Sequence, residues 1–180
     1  RSAATSYSNA TYNESTVASA RACPGSGPWI ALATMKLGAH VSVAGGISKA
    51  PKRAQEIGAE SMQIFTRNQR RWVSPALDMD EVRRFREACV ELGISPSLAH
   101  GSYLVNLAAP DGETLEKSLI AFQDELDRAN QLGIDGFVVH PGAHLGHGLE
   151  KGIQRIAMHI DRCIEEIAFL EMDKPLVALE

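Results

Sequence analysis

The chain is short of three things, and each shortage excludes a class of protein. No run approaches the ~18 apolar residues needed to cross a bilayer, so a membrane role is not expected. Positive charge is not in excess: 18 Lys and Arg stand against 22 Asp and Glu, for a net charge of -4. The protein therefore cannot coat nucleic acid through bulk charge, and any nucleic-acid site has to be a local basic patch. Cysteine is scarce. Cys23, Cys89 and Cys163 are odd in number and lack Cys-x-x-Cys spacing, which fits a reduced intracellular protein better than a disulfide scaffold. Cys89 and Cys163 fall in helical patterns and read as packing residues. What is present is a 44% hydrophobic content over 180 residues, enough for one globular core.

The first 34 residues differ from the rest. Arg1 to Thr34 is rich in Ser, Ala, Thr and Asn, has no helix or strand period, and contains the breaker cluster Pro24-Gly-Ser-Gly-Pro28. It reads as a disordered or non-native extension. Met35-Lys36 opens directly into strand-like sequence, so Met35 is a candidate natural start; a vector scar, a mistranslated upstream region or part of a transit peptide could account for what precedes it. The sequons Asn9-Ala-Thr11 and Asn13-Glu-Ser15 carry little weight, because such triplets arise by chance in Ser/Thr-rich sequence.

From Met35 onward, strands and helices alternate. Strands are expected at Lys36 to Val41, Met62 to Thr66, Ser97 to His100, Gly136 to His140 and Leu176 to Leu179. A helix is expected over Ser48 to Ile57, with Ala50, Ala54 and Ile57 on one face. A second, Asp78 to Leu92, turns Val82, Phe85, Cys89 and Leu92 inward and is capped by Gly93. A third, Glu113 to Leu132, carries the stripe Leu115, Leu119, Phe122 and Leu126 and stops at Gly133. In the fourth, Ile153, Ile156, Ile160, Ile164 and Ile167 recur at helical spacing. This βα series implies parallel strands joined by right-handed crossovers. An eight-stranded barrel takes ~250 residues, whereas residues 35–180 offer five strands. A partial (β/α)8 TIM barrel is expected. The alternative is a doubly wound open sheet, but its glycine-rich phosphate turn is only weakly echoed by Ala44-Gly45-Gly46.

Four short apolar runs each end in a residue able to hold a metal: Leu37-Gly-Ala-His40, Ser97-Leu-Ala-His100, Phe137-Val-Val-His140 and Leu176-Val-Ala-Leu-Glu180. In a parallel barrel the carboxyl ends of all strands meet at one rim, so such residues can surround one ion. Singly, each histidine is more often a satisfied polar residue than a ligand. Together, His100, His140 and Glu180 form the imidazole and carboxylate set that catalytic zinc uses when a position stays open for water. His40 is assigned to phosphate contact or to supporting the ligands. His144 and His147 are supporting groups or simply solvated, and His159, within a helix, is assigned to the surface. Arg67-Asn-Gln-Arg-Arg-Trp72 brings three guanidinium groups and an aromatic ring to a rim loop. That suits phosphate contact and base stacking, or is a solvated loop. Tyr103 and Leu104, in the loop after the third strand, either meet a base stack or pack in the core.

The blocks Gly38-Ala-His-Val-Ser-Val-Ala-Gly-Gly46, Phe65-Thr-Arg-Asn-Gln-Arg-Arg-Trp72, His100-Gly-Ser-Tyr-Leu-Val-Asn-Leu-Ala108 and His140-Pro-Gly-Ala-His144 resemble the endonuclease IV family of apurinic/apyrimidinic endonucleases. The resemblance covers Met35 to Glu180 in order. It implies a (β/α)8 barrel with three zinc ions, in which zinc-activated hydroxide hydrolyses the phosphodiester 5′ to an abasic site during base excision repair. On the matching positions, His100 and His140 would bind one zinc, and Glu180, the catalytic carboxylate, would bridge it to a second. His40, Arg70, Trp72, Tyr103 and Leu104 would form the DNA-binding set. The remaining ligands of the family would lie beyond Glu180, so the chain is expected to be an inactive N-terminal half. Its expected partner is double-stranded DNA containing abasic sites, with no membrane and no obligate protein partner, inside the cell. A metal-dependent sugar isomerase or epimerase on the related barrel, and a non-catalytic DNA-binding half-barrel, stand as alternatives.

Overall fold

The computed structural model describes residues 35–169 and 176–180. The reading of residues 1–34 as an extension lies outside them. Five strands, β1 (Gly38–His40), β2 (Ser61–Phe65), β3 (Ser97–His100), β4 (Gly136–Val139) and β5 (Leu176–Leu179), form one sheet. Every neighbouring pair is parallel, and the spatial order is the chain order. That order decides between the two α/β readings. A doubly wound sheet reverses its strand order at a switch point, whereas a barrel winds in one direction only. This sheet never reverses.

Four helices make the crossovers: α1 (Ala50–Glu56), α2 (Met79–Leu92), α3 (Glu113–Leu132) and α4 (Leu149–Phe169). The Asp78 carboxylate starts α2 by accepting the Asp80 and Glu81 amides at 2.8 and 3.3 Å, which satisfies two donors of its first turn. Gly93 and Gly133 end α2 and α3 in left-handed conformation, as their positions in the sequence predict. The core lies between the helices and one face of the central strands. Met62, Ile64, Ala99, Phe137 and Val139 alternate with half-buried residues along β2, β3 and β4, and they meet Val82, Phe85, Phe122 and Leu126. Phe122 and Phe137 pack edge to face, 5.6 Å apart.

Three expectations need correction. A single turn, Ile47–Lys49, precedes α1, which then begins at Ala50 and stops at Glu56. Ala50 and Ala54 are buried as expected, but Ile57 lies past the helix end and is 63% exposed. On α4 the inward stripe is Gly152, Ile156, His159, Ile160 and Cys163, while Ile153 is 57% exposed. His159 is therefore not a surface residue. It is 5% exposed, and its Nδ1 donates to the Leu107 carbonyl at 2.9 Å. A histidine can occupy an apolar stripe when one carbonyl satisfies it. Among the described residues, no helix is long and apolar enough to cross a membrane.

Candidate metal centre and its rim loops

The parallel register carries the strand-end residues to one place. His100 pairs with Val138, which puts His140 two residues further along the same face of the neighbouring strand. The Glu180 amide donates to the Val139 carbonyl at 3.1 Å, extending the β4–β5 ladder and bringing its side chain level with the histidines. Nε2 of His100 lies 3.2 Å from Oε2 of Glu180, and Nε2 of His140 lies 4.0 Å from the same oxygen. One donor atom from each of the three residues falls within 4.8 Å of the others.

The state of His100 tests whether a cation fits here. Its Nδ1 is 2.7 Å from the Gly101 carbonyl, an acceptor with no proton to give. Nδ1 therefore carries the hydrogen, and in the neutral ring Nε2 turns a bare lone pair toward the Glu180 carboxylate. Two acceptors at that separation are satisfied by a proton or by a metal cation between them. A divalent ion would be held by two imidazoles and one carboxylate, with the Gly101 carbonyl keeping the His100 ring in an orientation that can ligate. The residues fit a metal.

An aromatic wall borders the three donors. The Tyr103 ring stacks on His140 with centroids 5.4 Å apart and planes at 25°. It also stands 5.4 Å from His100 and 6.0 Å from Phe65. Tyr103 is 61% exposed, so core packing does not explain it. Leu104 beside it is half-buried. His40 sits behind Phe65, 6.2 Å from His100 between centroids, with its Nδ1 3.0 Å from Oε1 of Gln63, and lies outside the donor group. His144 is committed elsewhere: its Nδ1 accepts the Gly146 and Gly148 amides ahead of α4, which makes it a loop-shaping residue.

The arginine loop after β2 divides in a way the sequence did not reveal. Arg70 and Arg71 are exposed, but Arg67 is buried and paired with Asp124 on α3 at 2.8 Å. Trp72 is half-buried and packs against the core. Between the loops after β3 and β4, Asn106 acts as a clamp. Its Oδ1 accepts the Ala108 and Ala143 amides, and its Nδ2 donates to the Ala143 carbonyl, all at 3.0 to 3.1 Å. Gly142 makes this approach possible. With φ at 99°, it has no Cβ, and a Cβ there would lie 2.1 Å from the Asn106 oxygen. Ser102, Asn106, Gly142, Asp124 and Glu125 are the supporting residues that pattern reading missed. The first three do lie within the His100 and His140 blocks.

A parallel sheet wound in one direction, with imidazole and carboxylate donors able to hold a metal gathered at its carboxyl rim, places the chain among β/α barrel proteins. Residues 51–169 match the family described as Xylose isomerase-like TIM barrel, and the chain belongs to that family. The resemblance to endonuclease IV also holds. The chain is 47% identical over 131 residues to the probable endonuclease 4 of Geobacter sulfurreducens, a match covering 73% of this chain and 44% of that protein. It is likewise 47% identical over 131 residues to the probable endonuclease 4 of Chloroflexus aurantiacus, covering 46% of that protein. The chain thus spans about half the length of the curated relatives it matches. Among solved structures, endonuclease IV from Thermus thermophilus aligns with a TM-score of 0.69 at 32% identity, over 81% of this chain and 51% of that one. The 3-keto-D-glucoside 4-epimerase of E. coli aligns with a TM-score of 0.58 over 81% of this chain and 55% of that one, at 15% identity, a likeness of fold alone.

Proposed function

We propose that this chain supplies the first metal site and part of the DNA-contact face of an endonuclease 4 type enzyme. That enzyme hydrolyses the phosphodiester 5′ to abasic sites in base excision repair, inside the cell and with zinc as the metal. The observation that carries the reading is the convergence of His100, His140 and Glu180 beneath an exposed Tyr103 ring. The identity to relatives named probable endonuclease 4 supports the choice of substrate.

Each residue has a task that follows from its placement. His100 and His140 would hold the ion through their imidazoles, and Glu180 through its carboxylate. When bound, zinc supplies Lewis acidity to the phosphate and makes a water acidic enough to ionise near neutral pH. Arg70, exposed on its loop, neutralises a backbone phosphate. Tyr103 offers a flat face beside the site, and stacking on such a face is worth ~1 to 3 kcal/mol per base. An abasic site leaves a gap in the stack that Tyr103 and Leu104 can enter. His40 lies one ring further out, where an imidazole suits a flanking phosphate, and Trp72, half-buried against the core, anchors its end of the arginine loop.

A sugar epimerase on the same barrel shares only the fold with this chain. The two readings separate in a binding experiment. Zinc-loaded protein is titrated with a duplex carrying one abasic site, with the undamaged duplex, and with a ketose. Preference for the abasic duplex, lost on chelation, is the expected result. Ketose binding without duplex preference would establish the epimerase reading, and duplex binding indifferent to chelator would establish a non-catalytic DNA-binding module. Incision is assayed on the native gene product.

A further inference from the structure

Behind the rim, two loops meet on one acidic pair of α3, the half-exposed Asp124 and the buried Glu125. Glu125 on α3 is fully buried, and both its oxygens face the Ser102 amide, at 3.0 and 3.1 Å. Ser102 immediately precedes Tyr103, and its hydroxyl donates to the Gln69 carbonyl at 2.9 Å, next to Arg70. From the other loop, Nε of Arg67 approaches Oε1 of Glu125 to 3.8 Å and has no hydrogen-bond partner. The same guanidinium donates to Asp124 at 2.8 Å and to the Arg71 carbonyl at 2.7 Å. Arg128 completes the group, donating to Asp124 at 2.9 Å and to the Pro75 carbonyl. The loop carrying Tyr103 and the loop carrying Arg70 are therefore hung from adjacent residues of one helix.

A carboxylate in such a place is costly. Burial pushes the Glu125 carboxyl up to about 7, against the opposing pull of the Ser102 amide and the Arg67 charge. Its partners account for it: an apolar side chain here would leave the buried Ser102 amide without its acceptor and the Arg67 Nε without a facing charge, so the acid serves the two loops and not packing alone. We propose that Glu125 is a positioning residue that fixes the Ser102–Leu104 loop against the Arg67–Trp72 loop, so that Tyr103 and Arg70 meet the same duplex together. The proposal rests on the DNA reading above. It gives the Tyr103 loop a charge-assisted anchor, strongest when the acid is ionised. The charged groups facing the acid are Asp124 and Arg128 on its own helix and Arg67 from the β2 loop.

The test uses the zinc-loaded 180-residue chain, with Glu125→Gln and Glu125→Leu variants. Zinc affinity should fall less than duplex affinity in both, because Glu125 contacts none of the three donors; Glu125→Leu, which loses a hydrogen bond to a charged group, should bind the abasic duplex about tenfold more weakly, and Glu125→Gln, which keeps a neutral acceptor for the Ser102 amide, should lose less. Wild-type affinity should rise between pH 6 and 8 by more than that of Glu125→Gln. If Glu125→Leu binds the duplex as tightly as wild type, the acid is only filling space and the proposal falls. Should the variants not fold, amide protection in the wild-type protein decides: residues 102–104 and 67–72 should change in step across pH 6 to 8, and independent behaviour overturns the coupling. Wild-type protein that does not prefer the abasic duplex would sink the DNA reading instead, while the amide measurement would still judge the positioning.

Discussion

Replacing Asn106 with alanine removes the side-chain link between the loop after β3 and the loop after β4. The loss can be worked from its bonds. Two hydrogen bonds cross to Ala143 and one supports the Ala108 amide, each near 3 Å. The site is half-buried, so water replaces part of what is lost, and ~1 kcal/mol per bond is a fair scale. Asn106→Ala should therefore cost about 2 to 3 kcal/mol, or a fall in melting temperature of roughly 6 to 9 °C. The Ala143 loop begins at His140, so zinc affinity should also drop, by about 10- to 100-fold, as it does when residues supporting a ligand are removed. Urea denaturation with and without zinc, and a competitive zinc titration, measure both quantities. Gly142→Ala is the steric control, since its Cβ would collide with the Asn106 oxygen. A cost below ~0.5 kcal/mol with unchanged zinc affinity would refute the clamp, and a neutral Gly142→Ala would show that the two loops do not approach as described.

Three further outcomes are expected. Zinc at about 100 times its dissociation constant should stabilise the chain by ~2.7 kcal/mol; if Glu180→Gln weakens affinity roughly 10- to 100-fold, that gain shrinks to about 0.4 to 1.4 kcal/mol, and an undiminished thermal shift would remove Glu180 from the site. The Ser48 amide and Arg84 hold the Glu81 carboxyl down at about 2. Its contribution is present above its ordinary 4.5 and is lost as pH falls toward 2, so stability measured from pH 2 to 5 should slope less in Glu81→Gln than in wild type. Phe137, fully buried against Phe122, should cost ~3 to 5 kcal/mol as alanine; a loss below ~1.5 kcal/mol in urea denaturation would mean that the core closes over the gap.

The fold was legible because its signals are local. Val82 and Phe85 on α2, Leu115, Phe122 and Leu126 on α3, and the terminal Gly93 and Gly133 announce themselves through period and punctuation. The strand-end histidines and Glu180 were legible for a related reason: in a parallel sheet wound one way, the last residue of each strand has only one place to go. What the sequence hid depends on partners far along the chain. Arg67 looks like its neighbours Arg70 and Arg71, and only Asp124, 57 residues on, distinguishes it. Asn106 needs Ala143, 37 residues away, and His159 needs the Leu107 carbonyl. Ile153 misled because the isoleucine repeat on α4 shares only Ile156 and Ile160 with the packed stripe, whose other members are Gly152, His159 and Cys163.

Tyr103 joins the two halves of the proposed function. Its ring lies on His140, so a group that displaces Tyr103 to enter a duplex also alters the environment of a metal ligand. If binding DNA at Tyr103 changes zinc affinity by some factor, zinc must change DNA affinity by the same factor, because the coupling free energy belongs to the pair of sites. A ligand moved by its ring stack can feel such coupling only if the rest of its loop stays fixed. Asn106 fixes the His140 side through Ala143, and Glu125 fixes the Tyr103 side through Ser102. The Tyr103–His140 stack lies between two anchored loops, and a zinc titration with and without abasic duplex measures whether the two sites couple through it.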